Sequence, residues 1–418
     1  MPSHHNDGRE AAAHPSSERP MATSGSPFIV AGGGIGGLAA ALVLARHGHA
    51  VEVLEQADAF GEIGAGIQLG PNVFRMFEHL GLTEAIRRVA YFPPHLVMRD
   101  VRTGELIVRS PVGERTLATY RQPYGVIYRA DLHHVLLQAC RAQPGIGLHV
   151  QSRVTGHTAH DDGVEVHLAD GRRLHACGLI GADGLWSRVR EQIVGDGPPR
   201  VSGHIAYRAV LPMQDVPPHL HSPDVTLWGG EKTHLVHYPL RRGELFNLVA
   251  VFHSDRYEEG WNTYGDPAEL HERFAQAAPP VRELLAKIDT WKMWVLCDRE
   301  PVARWSDGCA TLLGDAAHPM LQYLAQGACM AIEDAVVLGA AVQAHAHDVA
   351  AAFRAYEQAR YLRTGRVQLT ARLYGEIYHA SGVMRELRNR MFQSGDEEAG
   401  FIGTHWLYAG IDPAAPLP

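Results

Sequence analysis

Residues 28–55 read FIVAGGGIGGLAAALVLARHGHAVEVLE, and the order of residue types in this stretch decides the fold class. Phe28, Ile29 and Val30 form a run too short and too β-branched for anything but a buried strand. Gly32, Gly34 and Gly37 follow in G-x-G-x-x-G spacing. The Ala/Leu-rich run Leu38 to His47 predicts a helix, with Gly48 as its stop. Val51 to Leu54 predicts a second strand, which runs directly into Glu55.

Strand, glycine turn, helix and acid together make a dinucleotide site. The first glycine permits the turn, the second lets backbone approach a pyrophosphate, and the third lets helix and strand pack closely. Unpaired N–H groups at the helix start, with the positive end of its dipole, hold phosphate charge. An acid about twenty residues on accepts hydrogen bonds from ribose hydroxyls. The plainer alternative is a glycine-rich turn in an ordinary βαβ unit.

The chain has 418 residues, enough for two domains and an appendage. Its net charge of −8 argues against a nucleic-acid partner. Cys140, Cys177, Cys297, Cys309 and Cys329 show no C-x-x-C spacing, which fits reduced thiols in the cytoplasm. Phe28 to Ala45 is uncharged and long enough to mimic a membrane span or signal core. Its glycines, and its passage straight into VEVLE, speak against both, so no stable membrane association is expected.

Residues 1–26 are polar and rich in Ser, Pro and His, and predict a disordered leader. Glycines at 61, 64, 66 and 70 permit backbone pressed against a flat ligand. Arg129 precedes a helix that Asp131 can cap, and could reach a phosphate or form a surface ion pair. LIGADGLWSRVR (179–190) predicts a strand, a turn at Asp183, and a helix. There Asp183 can bond either a ligand hydroxyl or the backbone around it. From about Pro198, strands split by turns such as Gly229-Gly230 predict an antiparallel sheet, closed by a helix over Glu269 to Ile288. TLLGDAAHP (311–319) returns to strand and turn, a long helix starts near Ala328, and the tail from Gln393 reads as irregular. The fold class is therefore α/β. A discontinuous Rossmann-like domain (27–92, 124–197 and 299–345) joins an α+β substrate domain (93–123 and 198–298) and a helical C-terminal region (346–418).

The glycine-rich turn, the ADG turn and the GDAAHP turn, at these separations, resemble the single-component FAD-dependent aromatic hydroxylases. That resemblance implies that Gly32, Gly34 and Gly37 cradle the FAD pyrophosphate and that Glu55 holds the adenosine ribose. It places Arg129 and Asp183 beside the cofactor and the nicotinamide route, and Asp315 on the ribityl chain. The helix N-terminus at Ala328 would face the pyrimidine side of the flavin, where its dipole stabilises negative charge.

His234 and Tyr238 are four apart in a predicted strand, so they share a face, and His237 takes the other. Spacing alone leaves open that Tyr238 is a core aromatic and His234 a satisfied polar residue. Gln322 lies in HPMLQYLAQGACMAIEDA. HLVHYPLRRGELFNLVAVFHS and REPVARW resemble the 3-hydroxybenzoate 6-hydroxylases. The resemblance implies His234, Tyr238 and Gln322 as catalytic residues, with NADH and O2 as co-substrates. It implies conversion of 3-hydroxybenzoate to 2,5-dihydroxybenzoate (gentisate). A salicylate or 6-hydroxynicotinate hydroxylase and, more remotely, a dehydrogenase without oxygenase chemistry are the rivals. Asp100 is a weaker candidate, as a site-lining acid or a turn residue. The C-terminal helices could form a homodimer contact.

Overall fold

A computed structural model describes residues 25–61, 64–160, 163–254, 263–394 and 397–415; most of the expected leader lies outside them. Its first sheet carries the strands Phe28–Ala31, Val51–Leu54, Ile146–His149, Gly178–Gly181 and Ala310–Leu312, all parallel, edged by the antiparallel Ser306–Asp307. Phe28–Ala31 sits near the middle, buried throughout because both faces are covered. The helix Ile35–Arg46 crosses to Val51–Leu54, and Gly48, at φ +90°, ends the turn that follows it. The stretch that mimics a membrane span is thus a strand and a 12-residue helix. Gly327–Ala344 is long and apolar enough to span, but packs inside the core against Ile35–Arg46 and Val349–Tyr378.

The second large sheet has eight strands. Arg200–Pro212, Val225–Gly230, Thr233–Leu240, Leu245–His253, Thr263–Tyr264 and Lys292–Asp298 join His95–Asp100 and Leu106–Pro111. It is antiparallel except where Val225–Gly230 runs parallel to His95–Asp100. One face packs on a core around Phe246, Phe252 and Trp291, and the other turns toward the dinucleotide fold.

Several local expectations are corrected. Gly229 and Gly230 are strand residues paired with His234 and Thr233, and the turn is at Glu231 and Lys232. They are small because a Cβ there would lie 2.7 Å from Met98 and 2.2 Å from Val101. The region 269–288 is two short helices, Pro267–Arg273 and Pro279–Leu285, broken where Pro279 and Pro280 intervene. Asp131 does not cap its helix. That helix begins at Arg129, and Asp131, inside its first turn, pairs with Arg241 at 2.7 Å. The tail is not irregular throughout, since Glu397–Tyr408 is helical.

The long helix Val349–Tyr378 is tied down by a buried ionic hub. Arg360 donates to Asp334 at 2.6 Å and to Glu333 at 2.8 Å, and Arg363 and Asn72 also bond Glu333. Asp334 accepts from the Gly314 amide and contacts His318 at 2.5 Å. Burial works to raise Asp334, but His318 and Arg360 outweigh it and hold the carboxyl at about 2. Arg360→Leu would leave two carboxylates buried with too little positive charge. It is expected to cost about 3–5 kcal/mol, read as a lower urea midpoint at unchanged slope. An unchanged midpoint would show that the hub contributes no stability.

Candidate active site

Between the two sheets lies a cavity of about 520 Å³. One side is formed by Gly34 at the N-cap of helix Ile35–Arg46, by Arg129, by Asp315 and by Gly327 and Ala328 at the start of the helix Gly327–Ala344. The opposite side is the eight-stranded sheet, through His234, Tyr238 and Arg208, with Gln322 and Pro319 at the junction. Seven residues singled out from the sequence therefore border one space: Gly34, Arg129, Asp315, Ala328, His234, Tyr238 and Gln322.

Gly32, Gly37, Glu55 and Asp183 stand behind that surface and shape it. Gly32 has φ +110°, and a Cβ there would lie 2.3 Å from the Ala182 carbonyl. A Cβ on Gly37 would lie 2.0 Å from the Gly32 carbonyl, so the helix could not approach its strand. Glu55 accepts from the amides of Gly33 and Ala57, both at 2.8 Å, pinning the turn to the end of the second strand. Of its two possibilities, Asp183 takes the backbone. One oxygen accepts from the Arg188 amide at 2.8 Å, while the other is buried without a partner. Burial raises Asp183, and Ser187 with the amides of Arg188 and Val189 partly opposes this. Asp315 is enclosed by protein yet exposed, because its accessible surface opens on the cavity. Burial raises its carboxyl, against the pull of His318 and Arg129.

On the opposite wall, alternation along Thr233–Leu240 does the positioning. His234 and Tyr238 point into the cavity. His237 points into the other core, where its Nε2 accepts from the Trp228 indole at 3.0 Å. His234 is buried, its Nδ1 lies 2.7 Å from Nε2 of His379, and burial, with His204 nearby, lowers it to about 3. The imidazole is neutral, with Nε2 left for the cavity. Tyr238 is buried against Gly66 and Asn247, and burial pushes its phenol well above the usual range despite Arg208. Asp100 is not in the cavity; it accepts from the amides of Arg102 and Thr103 and from Arg385 at 2.7 Å, as a turn residue would.

Arg208 escaped the sequence reading. It lies half-buried along the cavity, with its guanidinium 4.6 Å over Trp294 and a hydrogen bond to Gln322. Its Nε is buried without a partner, and no carboxylate among the described residues bears on its charge. Burial lowers it to about 10, with Arg129 adding to the effect. An arginine in a strand of alternating residues carries no signal of its own. The parity that turns Arg208 to the cavity and Tyr207 to the opposite core depends on the sheet that forms around them.

Known proteins match this architecture. The family described as FAD binding domain matches residues 26–368. A 3-hydroxybenzoate 6-hydroxylase from Polaromonas naphthalenivorans is 45% identical over 382 residues, 91% of this chain and 95% of that protein. The chain belongs to the FAD-dependent aromatic hydroxylases. A 6-hydroxynicotinate 3-monooxygenase from Bordetella bronchiseptica is 36% identical, over 82% of this chain and 90% of that one. Among solved structures, Klebsiella pneumoniae HpxO complexed with FAD and uric acid superposes with a TM-score of 0.82. It is 28% identical, over 94% of this chain and 98% of that chain.

The residues present fit the flavin such a hydroxylase carries. Two glycines whose missing Cβ atoms keep the turn tight, two helix starts at the cavity and the Asp315 carboxyl that opens on it are the groups that would hold phosphates and a polyol chain, with Asp183 bracing its turn from behind. Asp315→Ala is expected to weaken FAD retention by roughly ten- to a hundredfold, the loss of a charged hydrogen bond. The flavin-to-protein absorbance ratio after desalting measures this. A fully loaded yellow variant would remove Asp315 from the cradle.

Proposed function

We propose that this hydroxylase converts 3-hydroxybenzoate to 2,5-dihydroxybenzoate, using NADH and O2. The observation that carries the reading is the polar wall across the cavity from Asp315: a neutral imidazole, a phenol and a guanidinium on which no carboxylate among the described residues acts. The 45% identity to a protein named for that reaction supports it.

Bound FAD would take the reducing equivalents of NADH and activate O2 for transfer to a ring carbon. One ring C–H becomes C–OH, the second oxygen atom leaves as water with one proton taken up from solvent, and NADH becomes NAD⁺. The chain's own residues prepare the ring. Arg208 binds the substrate carboxylate, which satisfies its unpaired Nε and supplies the missing counter-charge. Gln322, already bonded to Arg208, sets the angle of that grip. Nε2 of His234 accepts the proton of the substrate hydroxyl and raises electron density para to it, where oxygen arrives. Tyr238 hydrogen-bonds the same hydroxyl and holds the ring against the Gly66 backbone. The apolar remainder of the wall, including Val236, Val249 and Leu296, excludes water that would otherwise divert the oxidant.

The exposed apolar side chains Leu362, Leu369 and Leu373 line one face of Val349–Tyr378, and Val383, Met384, Leu387 and Met391 line Gly382–Ser394. We assign this surface to a homodimer contact. The five cysteines are free thiols, consistent with a cytoplasmic enzyme.

Product identification after incubating pure enzyme with NADH, oxygen and 3-hydroxybenzoate tests the substrate. Gentisate is expected; turnover of salicylate or 6-hydroxynicotinate instead would reassign it. His234→Ala and Tyr238→Phe are expected to keep FAD but lose hydroxylation by roughly 10²–10⁴-fold, and near-normal product in both would refute their roles. Arg208→Met is expected to raise KM by roughly ten- to a hundredfold, and an unchanged KM would reject the carboxylate anchor. For the dimer, Leu369→Glu with Leu373→Glu should give a monomer by light scattering, and an unaltered mass would exclude this face.

A further inference from the structure

Behind the His234 wall, away from the cavity, three more histidines meet. His204 and His253 are partners in adjacent strands, their rings stacked with centroids 4.1 Å apart. His379 caps the C-terminal end of Val349–Tyr378, and its Nδ1 lies 3.0 Å from Nε2 of His253. One nitrogen from each of the three lies within 4.8 Å of the others. None of them belongs to the cavity already described, and three separate elements supply them.

The surroundings of the cluster are those of a ligand set. His204 is held through Nδ1 by the Tyr323 hydroxyl, and His379 through Nε2 by His234. Ligating imidazoles are usually oriented by such a bond on the nitrogen away from the metal. His204 and His379 are buried, while His253 is only half-buried and offers an entry path. Burial lowers all three, so the rings are neutral, the form that ligates. Lys232 and Arg273 on the outer side disfavour a cation, and the exposed Glu376 offsets them. The phenols of Tyr323 and Tyr378 complete the surroundings.

We propose that His204, His253 and His379 form a site for a divalent transition metal of zinc type, with a fourth position open to water, and that its occupancy switches hydroxylation off. Three imidazole nitrogens within 4.8 Å of one another, with one coordination position left open, match the zinc chemistry of such sites. The coupling runs through one hydrogen bond and rests on the reading of His234 as proton acceptor. A metal on Nδ1 of His379 places that ring's proton on Nε2, which then donates to Nδ1 of His234. The proton of His234 must then sit on its other nitrogen, Nε2, the one that faces the cavity. A ring nitrogen that already carries a proton has no lone pair left to accept from the substrate hydroxyl. Without the metal, His234 donates from Nδ1 to His379, and its Nε2 is free to accept.

The test uses the FAD-loaded enzyme after treatment with a chelator. Zn²⁺ is titrated by calorimetry, Co²⁺ is followed by its visible absorption, and product formation is measured separately. Expected are saturable binding of one metal ion per chain, tetrahedral cobalt bands, and loss of both in His253→Ala. Zinc-loaded enzyme should hydroxylate roughly tenfold or more slowly, with recovery on chelation, and His253→Ala should be indifferent to zinc. Weak, unsaturable binding that survives in His253→Ala would overturn the site. Stoichiometric binding that depends on His253 but leaves hydroxylation unchanged would overturn the switch. Neither result touches the assignment of His234, which the metal-free His234→Ala enzyme decides independently.

Discussion

The buried cluster of Arg360, Asp334 and Glu333 is the constraint on which the active-site geometry depends. Asp334 bonds the Gly314 amide and His318, which bracket Asp315. Glu333 bonds Asn72 and Arg363, and Arg363 in turn bonds the carbonyls of Trp406 and Leu407. One ionic hub thereby registers the turn that carries Asp315, the helix whose N-terminus borders the cavity, and the C-terminal arm. Desolvating these charges is costly, and the arrangement persists because each oxygen has a partner. Its contribution is to the placement of groups as much as to stability.

On the opposite wall the organising device is strand parity rather than charge. Antiparallel pairing of Thr233–Leu240 with Leu245–His253 sets which side chains face the cavity. A slip of one residue would exchange His237 for His234 and Tyr238 and destroy the site. Burial then sets the chemistry: it keeps the imidazole neutral and the phenol protonated, while Arg208 has no carboxylate counter-ion among the described residues. The wall is thus short of one anion and one acidic proton, both of which a hydroxybenzoate carries.

Much of this was legible in the residues. The strand, glycine turn, helix and acid of 28–55 are local features, each set by propensity or steric need within a few residues, and their order survives any packing. The shared face of His234 and Tyr238 follows from a period of two. Other expectations failed where distant contacts overrode local signals. Gly229-Gly230 reads as a turn but is strand, because Met98 and Val101 leave no room for side chains. Asp131 reads as a cap but pairs with Arg241, more than a hundred residues away. The tail lacks strong periodicity, yet Glu397–Tyr408 is helical, and Leu407 and Tyr408 pack into the core.

The sequence by itself determined the fold class, the dinucleotide turn and the pairing of an imidazole with a phenol, since these depend on spacings along the chain. Tertiary structure alone decided that Arg208 lies on the cavity wall with no carboxylate partner among the described residues. It alone brought His204, His253 and His379 together behind His234. Both arrangements join residues from strands and helices far apart in the chain, and no local periodicity records which of them will meet.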